Sequence, residues 1–304
     1  MNYLHALGAP VRIGSEAPPD RAAFEAGIAG ASAAVITLTE RVDGGVLAAT
    51  GPQLKVIANV AVGYDNIDVS AAEAAGVIVT NTPGVLDRAS ADHTFALILA
   101  ATRRITEGDR LIRDQQPWVW GPRMLVGLDV SAGATLGILG YGRIGQAVAR
   151  RAKAFDMTVI ASSRSRTPGS VEEGVTFVDT STLLADSDVV TVHTPLTAET
   201  RHLIDAGALR LMKPTAYLIN TARGGIVDEG ALIAALHRGE IRGAALDVFE
   251  GEPRVNPALL DAPGLVLTPH TASAGEATRD TMGILAIDNA AAVLAGEPPL
   301  TPVR

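Results

Sequence analysis

A glycine-rich turn constrains the fold of this chain more than any other feature. In the segment TLGILGYGRIGQAVARRA, an apolar β-branched run passes into an alanine-rich helical pattern. Gly140, Gly142 and Gly145 stand between the two in G-x-G-x-x-G spacing. Between a strand and a helix, this spacing allows a tight turn, close approach of the backbone to a pyrophosphate, and close helix–strand packing. The turn therefore predicts a parallel α/β sheet that binds a dinucleotide.

The helix after this turn opens with Arg143 and Ile144. The first N–H groups of a helix have no partner within it and lie at its positive end. We expect these groups to bind the phosphates of the dinucleotide. The alternative is a turn that serves only to connect a strand to a helix.

The position that reads the ribose lies at the end of the next strand and is occupied by Ser163, followed by Arg164 and Arg166. A carboxylate at this position would bind the 2′-hydroxyl of NAD and repel the 2′-phosphate of NADP. Serine removes that repulsion, and each charge-assisted hydrogen bond from an arginine contributes about 1.5–3 kcal/mol. We therefore expect NADP(H), with NAD possible if both arginines are ordinary surface residues.

Apolar runs alternate with helical segments along most of the chain, which is typical of parallel α/β sheets. The central strands are predicted at Thr135–Leu139, Thr158–Ser162, Val189–His193, Ala216–Asn220, Ala244–Phe249 and Leu265–Thr268, with helices at Ile144–Phe155, Thr182–Asp186 and Glu229–Arg238. A weaker set of strands precedes them at Val11–Ile13, Ala34–Leu38, Lys55–Asn59 and Val77–Thr80.

Two long helical segments, Ala89–Arg104 and Glu276–Leu294, flank the central series. We predict a Rossmann-type dinucleotide domain, residues 95–274, inserted into a smaller flavodoxin-like α/β substrate domain, residues 1–94 and 275–304, with ligand in the cleft between them. The length of 304 residues suits two domains. The alternative, one continuous sheet of about ten strands, would be unusually large.

Composition excludes several classes of function. The chain has no cysteine, so it has no disulfide or thiolate metal site, and no His pair has the i, i+4 spacing of a zinc helix. A net charge of −8 argues against nucleic acid as a main partner. No apolar run is long enough to cross a membrane, and the N-terminus does not resemble a signal peptide. We expect a cytoplasmic protein.

Polar residues follow three later strands, at the edge where open parallel sheets bind ligands. Arg223 lies in NTARGGIVDE, Asp247 and Glu252 lie in ALDVFEGEP, and His270 follows a proline in LVLTPHTAS. Each one alone has an ordinary structural explanation. Because they share one chain with a dinucleotide turn, we expect them to form a reduction site.

The chemistry of such a site assigns a role to each residue. Arg223 offers a planar fork of donors to a carboxylate or keto oxygen. His270 would give a proton to the carbonyl oxygen as hydride arrives. Glu252 would hold the imidazole and favour its protonated form.

With these residues in place, the chain resembles the D-isomer-specific 2-hydroxyacid dehydrogenases, particularly the glyoxylate/hydroxypyruvate reductase branch. The likeness runs through nearly the whole chain, in NVAVGYDNIDV, NTPGVL, GRIGQAVARRA, HTPLTAETRHLI, NTARGGIVDE, ALDVFEGEP and TPH. It implies that Arg223 binds substrate, that His270 is the acid/base, and that Glu252 supports it.

The resemblance implies further contacts. Val62 and Gly63 would lend backbone N–H groups to the substrate carboxylate. Asp247 would contact the nicotinamide carboxamide, while Thr194, Thr221 and Ala222 would line the cofactor. Ser90, near the start of its helix, is either a further nicotinamide contact or an ordinary polar residue at a helix start. The segment containing Trp118 and Trp120 would lie near the contact of a homodimer, although packing within one chain is an equal alternative.

The expected function is NADPH-dependent reduction of a small 2-oxo acid, with glyoxylate and hydroxypyruvate as leading substrates. One alternative is reduction of a larger sugar-derived keto acid such as 2-ketogluconate. Another is a dinucleotide-sensing binding protein of the same fold, which the absence of a basic patch disfavours.

Overall fold

The computed structural model describes residues 10–15 and 17–303 and divides the chain into two compact units. The larger unit is the continuous segment Asp87–Ala274, and the smaller comprises the described residues up to Leu86 and those from Gly275 onward. The division falls after Leu86, earlier than the sequence pattern suggested at residue 94, because the helix that begins at Asp87 packs against the sheet of the larger unit.

The smaller unit contains a three-stranded parallel sheet in the order β1-β2-β3. Its strands are β1 (Ala33–Ile36), β2 (Val56–Asn59) and β3 (Ile78–Thr80), and its helices are Arg21–Ile28, Gly44–Thr50, Val69–Ala74 and Glu276–Leu294. The Glu276–Leu294 helix packs on β1 and β2. Its Ala286, Ala290 and Val293 contact Val56 and Ala58.

The expected strand at Val11–Ile13 is wrong, because the structure shows these residues as irregular chain. Val11 is 40% and Ile13 62% exposed, so the apolar run has no buried face. Alternating or continuous burial is what makes such a run a strand.

The larger unit contains an eight-stranded sheet in the order β11-β10-β9-β8-β4-β5-β7-β6. The strands are β4 (Thr135–Leu139), β5 (Thr158–Ser162), β6 (Val171–Glu172), β7 (Val175–Phe177), β8 (Val189–Val192), β9 (Tyr217–Asn220), β10 (Gly243–Leu246) and β11 (Leu265–Leu267). All pairs are parallel except β6 with β7. The prediction of parallel α/β sheets is confirmed.

Helices cover the two faces of this sheet in separate cores. The helices of this unit are Asp87–Thr102, Ile105–Arg113, Arg143–Ala154, Thr180–Asp186, Ala206–Leu211, Glu229–Arg238 and Pro257–Leu260, with a 3₁₀ turn at Gly224–Ile226. The strand order reverses between β4 and β8, which makes the carboxyl ends of these two strands the topological switch point.

Local sequence explains where many of these elements begin. An aspartate side chain accepts a hydrogen bond from the backbone N–H three residues later at the start of six helices. These N-caps are Asp20, Asp43, Asp68, Asp179, Asp205 and Asp228. The central strands β8, β9 and β10 are buried along their whole length, so they read as continuous apolar runs.

The structure departs from the sequence expectation at two further places. The predicted helix Ala89–Arg104 corresponds to the helix Asp87–Thr102, and a second helix that the sequence did not predict, Ile105–Arg113, follows after Arg104, which adopts a left-handed conformation (φ 53°). The β6–β7 hairpin was not anticipated, and its strands are two and three residues long. Within the described residues, no helix is both long and apolar enough to span a membrane.

Candidate functional site

The glycine-rich turn lies at the switch point, directly after β4. Gly140 has φ 95°, and a Cβ on it would approach the His193 carbonyl oxygen to 2.6 Å. A Cβ on Gly145 would lie 2.3 Å from the Gly140 carbonyl oxygen. Both glycines are therefore needed for close packing of the turn, in agreement with their predicted roles.

Gly142 is different, because a Cβ on it would meet no atom of the described chain within 4 Å. It precedes the Arg143–Ala154 helix, whose N-terminus has no side-chain cap within the described structure. Ile144 is half-buried and Arg143 is exposed. The turn thus leaves open space beside uncapped helix N–H groups, which is the arrangement that binds phosphate.

Three side chains near this turn shape its electrostatics. Burial raises the pKa of Asp87, at the start of the Asp87–Thr102 helix, and the positive charge of Arg143 opposes that rise. Burial lowers the pKa of His193 to about 3, so its imidazole is neutral near pH 7. His193 Nε2 lies 2.9 Å from Thr191 Oγ1.

Thr194 follows β8 on the other side of the switch point. Its Oγ1 is buried and has no hydrogen-bond partner within the described part of the chain. A buried hydroxyl without a partner is unfavourable by about 1–3 kcal/mol. Thr194 Oγ1 is therefore available to a ligand at this point.

The segment after β5 carries the residues expected to read the ribose. Ser163 is half-buried and Arg164 is exposed. Arg166 is ion-paired to Glu172, with 2.5 Å between Nε and Oε2, and its guanidinium lies 5.9 Å from the centre of the Phe177 ring. Arg166 is thus already paired with a carboxylate, whereas Arg164 is exposed to solvent.

Arg164 makes no hydrogen bond or ion pair to any residue that the structure describes. The pKa of Glu199 is lowered, chiefly by a hydrogen bond from Thr197 and in small part by the positive charge of Arg164. Arg164 therefore lies within electrostatic range of the loop that follows Thr194.

Arg223 follows β9 in a turn held by Asn220. The fully buried Asn220 side chain accepts a hydrogen bond from Ala222 N (3.0 Å) and donates one to the Arg223 carbonyl (2.8 Å). Arg223 Nη1 also donates to the Ala222 carbonyl at 2.8 Å. Thr221 Oγ1 lies 2.9 Å from Thr94 Oγ1.

Glu252 and His270 meet at the carboxyl ends of β10 and β11, as predicted. His270 Nδ1 lies 2.7 Å from Glu252 Oε2, and Glu252 Oε1 accepts a hydrogen bond from Phe249 N at 2.8 Å. An ionised carboxylate only accepts hydrogen bonds, so Nδ1 carries the proton and Nε2 is left for other partners. Both side chains are about a quarter exposed, at 22% for His270 and 27% for Glu252.

Asp247 supports the loop that carries His270. It lies just beyond β10 rather than inside a strand, and its carboxylate is fully buried. Its oxygens accept hydrogen bonds from Thr268 Oγ1 (2.6 Å), Thr271 N (2.9 Å) and Ala272 N (2.8 Å). The Asp247 carbonyl accepts from His270 N at 2.7 Å, while His270 has φ 54°. This network holds the histidine in its left-handed conformation.

His93 belongs to the same network, although its neighbours in the sequence indicate no partner for it. Its Nε2 lies 3.1 Å from Thr268 Oγ1 and 3.3 Å from Asp247 Oδ1. The Thr268 hydroxyl proton is directed to Asp247, so Thr268 accepts from His93. Ser90, one turn earlier in this helix, is buried and its carbonyl accepts from Thr94 Oγ1.

Val62 and Gly63, the expected carboxylate ligands, belong to the smaller unit and follow β2. Both are half-buried. Neither backbone N–H donates a hydrogen bond within the described structure. Among the described residues no group of His, Asp and Glu could hold a metal ion.

Comparison with known proteins identifies the family. Residues 95–272 match the model of the D-isomer specific 2-hydroxyacid dehydrogenase NAD binding domain. The chain is 50% identical over 273 residues to a glyoxylate reductase of Thermococcus litoralis, covering 88% of this chain and 82% of that one.

Two solved structures are similar over most of their length. A protein from Thermus thermophilus has a TM-score of 0.93 and 43% identity, covering 100% of this chain and 96% of that one. An NADPH-dependent glyoxylate/hydroxypyruvate reductase from Sinorhizobium meliloti, in complex with NADP and malonate, has a TM-score of 0.80 and 37% identity, covering 90% and 83%.

The chain belongs to the D-isomer-specific 2-hydroxyacid dehydrogenases.

As a member of this family, the protein is an NAD(P)-dependent oxidoreductase with a Rossmann fold. Its own residues fit a nicotinamide dinucleotide. The open space at Gly142, the uncapped helix start at Arg143 and the unpartnered Thr194 hydroxyl all adjoin the switch point. These groups would hold the cofactor.

Proposed function

We propose that the protein reduces small 2-oxo acids, first among them glyoxylate and hydroxypyruvate, to D-2-hydroxy acids, with NADPH as the preferred reductant. The observation that carries this proposal is the His270–Glu252 pair, which leaves His270 Nε2 available at the carboxyl ends of the strands. The likeness to glyoxylate reductases supports the choice of substrates.

The reaction adds a hydride to the carbonyl carbon and a proton to the carbonyl oxygen. Bound NADPH supplies the hydride. His270, protonated on both ring nitrogens, gives its Nε2 proton to the oxygen, and the Nδ1 hydrogen bond to Glu252 stabilises the charged ring before transfer. A water-derived proton then restores the histidine.

Arg223 binds the substrate through its guanidinium, whose planar fork matches a carboxylate or a pair of carboxyl and keto oxygens. The turn held by Asn220 fixes the backbone from which this side chain extends. Val62 and Gly63 provide neutral N–H donors for the substrate carboxylate. Asp247, which supports the His270 loop, and Ser90 would contact the nicotinamide end of the cofactor, and Thr194, Thr221 and Ala222 would line it.

The preference for NADPH rests on Ser163 and Arg164. No carboxylate stands at the ribose position, and the Arg164 side chain is exposed and unpaired within the described structure. One charge-assisted hydrogen bond to the 2′-phosphate would favour NADPH by about 10-fold to 100-fold. Arg166 contributes less, because it is already paired with Glu172.

We also propose that the enzyme is a cytoplasmic homodimer. Trp118 and Trp120 are 52% and 78% exposed, and Val119 between them is 87% exposed. Exposed aromatic side chains of this kind are enriched at protein interfaces. The absence of cysteine fits a reducing compartment.

The test is steady-state kinetics with glyoxylate and hydroxypyruvate, first with NADPH and then with NADH. The proposal predicts turnover of both acids and a kcat/KM at least about 10-fold higher with NADPH. Faster reduction of 2-ketogluconate would replace the proposed substrates with sugar-derived acids. Tight NADPH binding without reduction of any short 2-oxo acid would instead indicate a dinucleotide sensor.

A further inference from the structure

The backbone at Phe249 and Glu250 lies in the loop after β10 and holds the carboxylate that pairs with the histidine. Phe249 N donates a hydrogen bond to Glu252 Oε1 at 2.8 Å, and Glu252 Oε2 lies 2.7 Å from His270 Nδ1. A shift of the backbone at Phe249 would therefore move Glu252 relative to the imidazole.

The next backbone N–H, that of Glu250, is held by a buried carboxylate from a different element. Glu250 N donates to Glu229 Oε1 at 2.8 Å. Glu229 is buried and is the first residue of the Glu229–Arg238 helix, whose positive end stabilises its charge. Hydrogen bonds to an ionised acceptor are stronger than those between neutral groups. Glu229 therefore fixes the loop firmly at this point.

The same part of the loop packs against the turn that follows β9. A Cβ on Gly224 would overlap the Phe249 carbonyl group and Glu250 N. Only glycine, which has no Cβ, allows the two backbones to approach this closely. Because Gly224 directly follows Arg223, displacement of the loop would disturb the Arg223 turn as well as Glu252.

His202 connects the same two segments. Its Nε2 lies 2.8 Å from Glu250 Oε1, and its backbone N donates to the Gly225 carbonyl at 2.9 Å. His202 has φ 51°, a left-handed conformation that is maintained only where surrounding contacts hold it. The side chains of His202 and Glu250 are partly exposed, so this pair holds the loop less strongly than the buried Glu229 does.

We propose that Glu229 is a positioning residue for proton transfer, which holds Glu252 against His270 by fixing the backbone at Phe249 and Glu250. This inference rests on the proposed function, in which His270 gives the proton, and adds a residue from a helix start to the Glu252–His270 pair. Glu229 acts through the backbone rather than on the reacting atoms. The alternative is that it only stabilises the start of its helix.

The first test compares Glu229→Ala, Glu229→Gln and Asp228→Ala. Alanine removes the acceptor for Glu250 N, whereas glutamine keeps an amide oxygen that can accept the same bond. Asp228 is the matched control, because it caps the same helix by accepting from Ala231 N at 2.9 Å. The quantities to measure are kcat for glyoxylate, the dissociation constant of NADPH and the melting temperature.

We expect Glu229→Ala to lower kcat about 10-fold, as for loss of one charge-assisted hydrogen bond, with NADPH affinity near wild type. Glu229→Gln should recover most of this loss. Asp228→Ala should lower the melting temperature, because a cap is lost, and leave kcat near wild type. Equal losses of kcat in Glu229→Ala and Asp228→Ala would show that both act through helix stability and would overturn the proposal.

A double-mutant cycle with Glu252→Ala tests whether Glu229 acts through Glu252. Once the Glu252 carboxylate is absent, there is nothing left to position, so adding Glu229→Ala should lower kcat by less than about 2-fold further. If the two losses multiply instead, Glu229 acts independently of Glu252 and the proposal is wrong.

A spectroscopic test needs no turnover. The proton on His270 Nδ1, hydrogen-bonded to Glu252, should give a downfield imidazole N–H resonance, which His270→Ala assigns by removing it. This resonance should weaken and move upfield in Glu229→Ala and stay in place in Asp228→Ala. An unchanged resonance in both variants would overturn the role of Glu229 whether or not the protein reduces glyoxylate. Failure of this inference is thus distinct from failure of the proposed function.

Discussion

Two parts of the larger unit hold charged side chains in contrasting ways. At the carboxyl ends of β10 and β11, the fully buried Asp247 accepts hydrogen bonds from the loop that carries His270. In the segment from Ser163 to Glu172 after β5, Arg164 is exposed, and the only fixed charge contact described there is between Arg166 and Glu172.

The difference shows that the residues for proton transfer and the residues for cofactor discrimination follow different strands of one sheet. Proton transfer needs an atom held within a few tenths of an ångström, and a buried network provides this. Discrimination between NADPH and NADH needs only one charged hydrogen-bond donor for the 2′-phosphate, and an exposed arginine provides it. Substitutions in the first region should therefore have large effects, and those in the second should have smaller, cofactor-specific ones.

The largest effect is expected for His270→Ala. Loss of the proton donor should lower kcat for glyoxylate by about 10²-fold to 10⁴-fold, because general acid catalysis contributes in that range. NADPH affinity, measured by fluorescence titration, should remain near wild type. Lost cofactor binding would show that His270 is structural.

Glu252→Gln should have the next largest effect. The amide preserves the shape of the side chain but removes the negative charge that stabilises the protonated imidazole. We expect kcat to fall about 100-fold, as for loss of a strong charge-assisted hydrogen bond, with little change in NADPH KM. Near-normal kcat across the pH range would contradict the pairing role.

The next prediction concerns stability rather than catalysis, and it rests on the titration of His193 beside the glycine-rich turn. Its folded-state pKa of about 3 is below the ordinary value of 6.5. The unfolded chain therefore binds a proton that the folded chain does not, and stability is lost as the pH falls from 6.5 towards 3. Between pH 7 and pH 5 this amounts to about 2 kcal/mol.

The matched variant is His193→Gln, which does not titrate. Urea unfolding at pH 7 and pH 5 should show a smaller loss of stability in the variant than in the wild type. An equal loss in both proteins would show that protonation of His193 does not cause the loss of stability.

The smallest effect is expected in the exposed segment. Arg164→Ala should lower the ratio of kcat/KM with NADPH to that with NADH by about 10-fold, while activity with NADH is retained. Arg166→Ala is the matched control, since that guanidinium is paired with Glu172, and it should change the ratio less. A larger change for Arg166 than for Arg164 would reverse their assignment.

The sequence predicts the regular core of the larger unit well. The bounds of Thr135–Leu139, Thr158–Ser162 and Glu229–Arg238 agree with the structure. Each is a clear apolar or helical pattern ended by a glycine, a polar residue or a cap, so local signals coincide with tertiary packing. The Glu252–His270 pair was also predictable, because both residues follow neighbouring parallel strands.

The remaining features depend on contacts between distant segments. His93 reaches Thr268 and Asp247 from a helix far away in sequence, and nothing in its neighbours indicates this. The β6–β7 hairpin is too short for a periodic pattern. Arg166 pairs with Glu172 because this hairpin brings the two residues together. The sequence alone therefore does not distinguish Arg166 from an exposed arginine.

The most direct test of the central claim is reduction of hydroxypyruvate by the wild-type protein with NADPH, followed by chiral analysis of the glycerate formed. The account predicts one NADPH oxidised for each glycerate and a product of D configuration. Formation of L-glycerate, or binding of NADPH without any reduction, would contradict it.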